Sequence, residues 1–146
     1  MQPALYALAF LAGLLLTVQV GFNAALRSVF GSAIAATLAN FLVGTVGLVI
    51  FSAIARVEWP TRAALSAAPA WAWLGGLLGA FYVASAVVVG PRLGAAALLG
   101  LTVFGQLVAS IVVDHYGWLG FPQHPFTLTR LAGATLLFIG VLLIVR

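Results

Sequence analysis

Residues 101–117 read LTVFGQLVASIVVDHYG. From Leu101 to Val113 the stretch is apolar apart from a few small residues and Thr102, Gln106 and Ser110. Those three recur at every fourth position, so they share one face of a helix. The run closes on Asp114, the one carboxylate in the second half of the chain, and on Gly117. An amide in the middle of so apolar a helix costs free energy unless something polar meets it. What surrounds the helix is decided by the rest of the sequence.

Of the 146 residues, 64% are hydrophobic and 5% are charged. A soluble domain carries about 25% charged residues. The charges are Arg27, Arg56, Arg62, Arg92, Arg130 and Arg146 against Glu58 and Asp114, with no Lys. Such a chain belongs in a bilayer. The sequence pI near 10.8 reflects the scarcity of acids; six scattered arginines make no basic patch, so nucleic acid is excluded as a partner. There is no Cys, and thiol chemistry is excluded with it.

A helix needs about 20 apolar residues to cross the hydrocarbon core. Five runs meet that length, at about residues 3–22, 33–55, 71–90, 93–113 and 127–145. Backbone groups in lipid must be satisfied within their own segment, so these runs are predicted as helices, and no barrel-like alternation competes. The first run has no positive residue before it and exceeds a signal-peptide core, so it is expected to be a span. Gly90-Pro91-Arg92 predicts a short link and a tight antiparallel hairpin between the third and fourth spans. No internal repeat is visible, and residues 1–146 read as a single five-helix transmembrane domain.

An odd number of spans puts the termini on opposite sides. Arg56, Arg62 and Arg130 then fall on one side, and Arg27, Arg92 and Arg146 on the other. Orientation is normally set by an excess of Lys and Arg in cytoplasmic loops. Here the excess is zero, which predicts either weakly determined topology or insertion both ways up. Trp59, Trp71, Trp73 and Trp118 all fall on one side, whereas two copies packed antiparallel would carry an aromatic belt at each interface.

Polar residues form further stripes: Gln19 with Asn23 on the first span, Thr37 with Asn40 and Gly44 on the second, Tyr82 and Ser85 on the third. Interhelical glue is one use for such groups, at about 0.6 to 2 kcal/mol each. Several stripes in one small bundle also suit a polar cavity near the midplane, where secondary transporters bind substrate. Small residues at Gly13, Thr17 and Gly21, at Gly75 and Gly79, and at Gly133 and Gly140 are expected to serve helix packing. Asp114 is expected at the rim, paired with Arg130 or a loop amide; its alternative role is a coupling carboxylate. No span carries a midplane acid. Asp114, His115 and the distant His124 are too few for a metal site. No nucleophile–base pair, carboxylate pair or phosphate loop argues for an enzyme or a cofactor.

The stretches Gln19-Val-Gly-Phe-Asn23, Asn40-Phe-Leu-Val-Gly44, Gly75-Gly-Leu-Leu-Gly79-Ala-Phe-Tyr82, Gly90-Pro-Arg92-Leu-Gly94, Gly105-Gln106 through Asp114-His-Tyr-Gly117, and Arg130-Leu-Ala-Gly133 resemble the YdcZ-like family of the drug/metabolite transporter superfamily, over nearly the whole chain. The resemblance implies a bacterial inner-membrane protein of five helices, similar to half of a ten-helix transporter built from inverted repeats. It also implies a partner of opposite orientation, as in the antiparallel small multidrug resistance exporters. Those exporters carry a membrane-embedded Glu in their first helix; this first span has Gln19 and Asn23 instead, so their proton antiport does not transfer.

The combined expectation is an all-α membrane transporter acting as an antiparallel homodimer, or with an inverted paralogue. Gln19, Asn23, Asn40, Tyr82, Thr102 and Gln106 would contact a small polar or organic-ion substrate, the Tyr82 ring being able to hold a cation. Arg27, Arg92 and Asp114 would sit at the rim. The alternative is a non-transporting membrane subunit.

Overall fold

The computed structural model describes Gln2–Arg146. Six α-helices follow one another: α1 (Gln2–Phe30), α2 (Ala33–Ile54), the short α3 (Arg62–Ala67), α4 (Leu74–Leu93), α5 (Ala95–Tyr116) and α6 (Leu128–Val145). A 3-10 turn, Ala70–Trp73, leads into α4, and another, Trp118–Gly120, follows α5. All but α3 are long and apolar enough to span a membrane, α4 together with its leading turn. The expected five-span, all-α class is therefore the observed one. The helices group into two compact units that meet in sequence between Pro91 and Arg92.

In the first unit, α1 is longer than hydropathy predicts. Its 29 residues extend about 44 Å at 1.5 Å per residue, well over the ~30 Å hydrocarbon core. The helix runs two turns past Phe22 because Asn23, Arg27 and Ser28 leave the apolar run without breaking the backbone ladder. Gly31 ends it at φ +68°, its N–H donating to the Arg27 carbonyl at 2.9 Å; glycine takes this left-handed conformation without a Cβ penalty. Ser32 then caps α2, its Oγ accepting the Ala35 N–H at 3.2 Å.

The core of this unit is small. Ala36, Val83 and Val87 are buried, with Leu26, Ala33 and Tyr82 packed around them. Large side chains such as Phe10, Leu38 and Phe81 are exposed. In a bilayer that surface meets acyl chains, so its exposure carries no hydrophobic penalty. A Cβ added at Gly13, Gly21 or Gly75 would meet nothing within 4 Å. The α1 ridge and the first glycine of the α4 pair are thus not used for close approach within the first unit.

Two boundaries around α4 correct the sequence reading. Pro91 lies inside the helix and does not end it. The break falls three residues on, at Gly94 with φ +82°, so the fourth span starts at Ala95 and not at Leu93.

In the second unit α5 and α6 pack closely. A Cβ on Gly100 would stand 3.3 Å from Val141 Cγ2, and the Phe104 and Phe138 rings lie 4.9 Å apart. α5 continues to Tyr116, past the expected end at Val113, because its cap is Gly117 at φ +63°. The Gly- and Pro-rich link that follows is tied back to α5. His124 N–H donates to the Asp114 carbonyl at 2.8 Å, Gln123 Nε2 to the His115 carbonyl at 3.0 Å, and Phe126 N–H to His115 Nδ1 at 3.1 Å. Thr127 Oγ1 caps α6 by accepting the Arg130 N–H.

Candidate functional site

Along α1, Gln19, Asn23 and Arg27 stand one turn apart on a common face. They become progressively more engaged toward the end of the helix. Gln19 is half-buried and lines an open recess of about 390 Å³ together with Asn40, Phe41, Gly44, Thr45 and Val83. Asn23 is 3% exposed. Arg27 reaches across to α4, its Nη1 donating to the Val87 carbonyl at 2.8 Å and to the Val88 carbonyl at 3.4 Å.

The hydroxyls of α2 are satisfied locally: Thr37 Oγ1 donates to the Ala33 carbonyl and Thr45 Oγ1 to the Phe41 carbonyl. The amides differ. Side-chain hydrogen bonds on α1 and α2 come from Thr17, Arg27, Ser28, Ser32, Thr37 and Thr45; among the described residues none involves Gln19, Asn23 or Asn40. None of these amides is sealed away without a partner either. Gln19 and Asn40 therefore present a carbonyl acceptor and an NH₂ donor pair each to the same recess, whose other lining is apolar apart from Thr45, its hydroxyl already donated to the Phe41 carbonyl. Phe41 forms a shared wall with a second recess, about 520 Å³ and almost wholly apolar, between α2 and α4.

The remaining sequence-derived residues are distributed differently. Tyr82 is half-buried against the Ala36–Val83–Val87 cluster and does not line the Gln19 recess. Arg92 is exposed in the last turn of α4. In the second unit Thr102 is half-buried and donates to the Leu98 carbonyl at 2.7 Å, while Gln106, one turn further on, is exposed. Asp114 pairs with Arg130, Oδ2 to Nη1 at 3.1 Å, one of the two partners expected for it. Ser110 and Asp114 both line a recess of about 310 Å³ with Arg130 and Gly133. Thr45 was not among the residues singled out from the sequence; its spacing of eight residues from Thr37 is the signal that could have found it.

Bilayer-length helices with polar groups turned toward recesses define a multi-pass membrane protein, with neither the nucleophile–base geometry nor the carboxylate pair of an enzyme among the residues described. A family model described as "Putative inner membrane exporter, YdcZ" matches residues 4–143, and the chain belongs to that family. The resemblance seen in the sequence motifs is thereby established, as is the inner-membrane location, and the description is that of a transporter. No curated protein and no solved structure matches the chain.

Proposed function

We propose that the protein carries a small polar or organic-ion metabolite across the inner membrane, that the recess of Gln19 and Asn40 is where the substrate is held, and that two copies of opposite orientation form the working unit. The observation that carries this reading is the pair of unpartnered amides in one apolar-walled recess. An amide without a partner in hydrocarbon costs several kcal/mol; interhelical glue would be paired, whereas a binding site keeps its groups free until water or substrate arrives. Asn23 continues the same face of α1, while Thr102 and Gln106 form a polar stripe of their own on α5 in the second unit. Access would alternate by rocking of helices around a fixed site.

The antiparallel arrangement is supported by the equal division of arginines and by the α1 ridge, where a Cβ added at Gly13 or Gly21 would meet no neighbour of the first unit within 4 Å. A single copy supplies only one aromatic side; two inverted copies supply both.

The absence of native Cys gives a clean test. Single cysteines at Gln19, Asn40 and, as a lipid-facing control, Val46 would be exposed to a small water-soluble thiol reagent in membrane vesicles. Labelling at Gln19 and Asn40 but not at Val46 is expected. Dry, unreactive cysteines at both amide positions would reject the site and favour a non-transporting subunit. A cysteine at Val57, in the loop after α2, probes orientation: half the copies should react in intact cells and the rest only after permeabilisation. Reaction of all or none would remove the inverted homodimer.

A further inference from the structure

Pro91 lies within α4 and has no N–H, so the carbonyl four residues before it loses its helical donor. That carbonyl belongs to Val87. It is also the atom to which Arg27 Nη1 donates, at 2.8 Å, from the last turns of α1. Val87 is 1% exposed and Gly90 is buried too, so water is poorly placed to fill the gap. No carboxylate occurs in α1, α2 or α4, which leaves these carbonyls as the partners Arg27 has. The proline ring pushes against the same carbonyl and holds it open to a donor from outside the helix.

We infer that Arg27 is a latch: its guanidinium replaces the donor that Pro91 removes from α4 and holds the last turn of that helix, immediately before Gly94. The latch is reversible because it is a side-chain bond to a backbone acceptor and not part of the helical ladder. With the bond made, the turn from Val88 to Leu93 is fixed. With the bond broken, Val87 has no donor, the turn is loosened at Pro91, and the left-handed Gly94 supplies a second pivot three residues on. Hinges are often short element-terminal segments of this kind, able to absorb a change in backbone angles. Arg27 is thus a positioning residue. Its face of α1 also bears Gln19, so the recess and the latch are on one rigid rod. The latch's part in transport rests on the proposed function; its existence does not.

The test is a coupling experiment on the full-length protein in detergent micelles or nanodiscs, read by amide hydrogen exchange of Arg92 and Leu93, the last residues of α4. Arg27→Met, which keeps an apolar stem and removes the donor, should lower protection of these amides by about tenfold, the scale of a lost charged hydrogen bond. Arg27→Lys, which keeps a charged donor, should retain most of it and guards against a variant that merely fails to fold. Pro91→Ala returns an N–H to Val87. In that background Arg27→Met should change protection by less than about twofold. Equal losses in both backgrounds would show that Arg27 acts through packing alone, and no loss in either would show that α4 needs no external donor; both overturn the latch. Dry cysteines at Gln19 and Asn40 would sink the substrate site while leaving this cycle intact, so the two failures are distinguishable.

Discussion

Asp114→Asn removes the charge from the ion pair at the end of α5 while keeping an acceptor oxygen. The Arg130 Nη1 to Asp114 Oδ2 distance is 3.1 Å, one contact and not a two-pronged fork, with side-chain exposures of 33% and 26%. Unit charges about 4 Å apart attract by roughly 4 kcal/mol in a surface-like dielectric and roughly 1 in water. Exposure and side-chain ordering draw the net value toward the lower figure, as for exposed pairs at about 0.2 to 1 kcal/mol. Other bonds also survive the substitution. His124 N–H still reaches the backbone carbonyl of residue 114, and Gln123 and Phe126 still hold His115. The expected coupling between Asp114→Asn and Arg130→Gln is therefore about 1 kcal/mol, read from unfolding in detergent of the two single variants and the double, and shrinking with added salt. A coupling above about 3 kcal/mol would mean that the pair behaves as fully buried and would refute the reasoning from exposure. A coupling indistinguishable from zero would leave the loop held by the bonds of His115, Gln123 and His124 alone. Exchanging the two residues separates structure from coupling: stability should return if pairing is the whole role, and transport should stay lost if the carboxylate at 114 also carries a proton.

The α5–α6 contact gives a second expectation. Gly100→Leu drives a side chain into the position of Val141, already 3.3 Å from a bare Cβ; the cost should be about 1 to 3 kcal/mol in the same unfolding assay, and Val141→Ala should recover part of it. At the start of α2, Ser32→Ala removes the oxygen that accepts the Ala35 N–H and should cost about 1 kcal/mol, while Ser32→Asp should cost little; equal losses from both would show that the cap is not the reason for the serine.

The five spans were legible because hydropathy measures the one quantity a bilayer selects. Hydropathy does not see where a helix ends. For α1 it fell off at Phe22 while the backbone ladder continued to Phe30, and the true stop, glycine followed by serine at 31 and 32, is written in capping chemistry. Pro91 misled for a different reason. A proline breaks a helix when the orphaned carbonyl finds no donor, and here the donor comes from Arg27, 60 residues away; no local window contains that fact. The polar stripes were legible as stripes. That Gln19 and Asn40 line one recess while Tyr82 turns to the packing cluster depends on the rotation of each helix about its own axis, which the spacing along a single helix does not fix.

The fates of the polar side chains argue for the recess more strongly than its shape does. Thr17, Thr37, Thr45, Thr102 and Thr135 each donate to a carbonyl one turn back. Arg27 holds an orphaned carbonyl of α4, and Arg130 holds Asp114. Ser32 and Thr127 cap helices. A chain with so few polar groups has committed these to its own backbone or to an ion pair. Gln19 and Asn40 are set apart from them: each has the richest hydrogen-bonding capacity of any neutral side chain, neither is bonded among the described residues, and both open on one recess. Leucine at either position would suit an apolar bundle better if stability were the only demand. A Gln19→Leu, Asn40→Leu double variant should therefore fold at least as stably as the parent and lose transport; a variant that unfolds instead would return both amides to the role of structural glue.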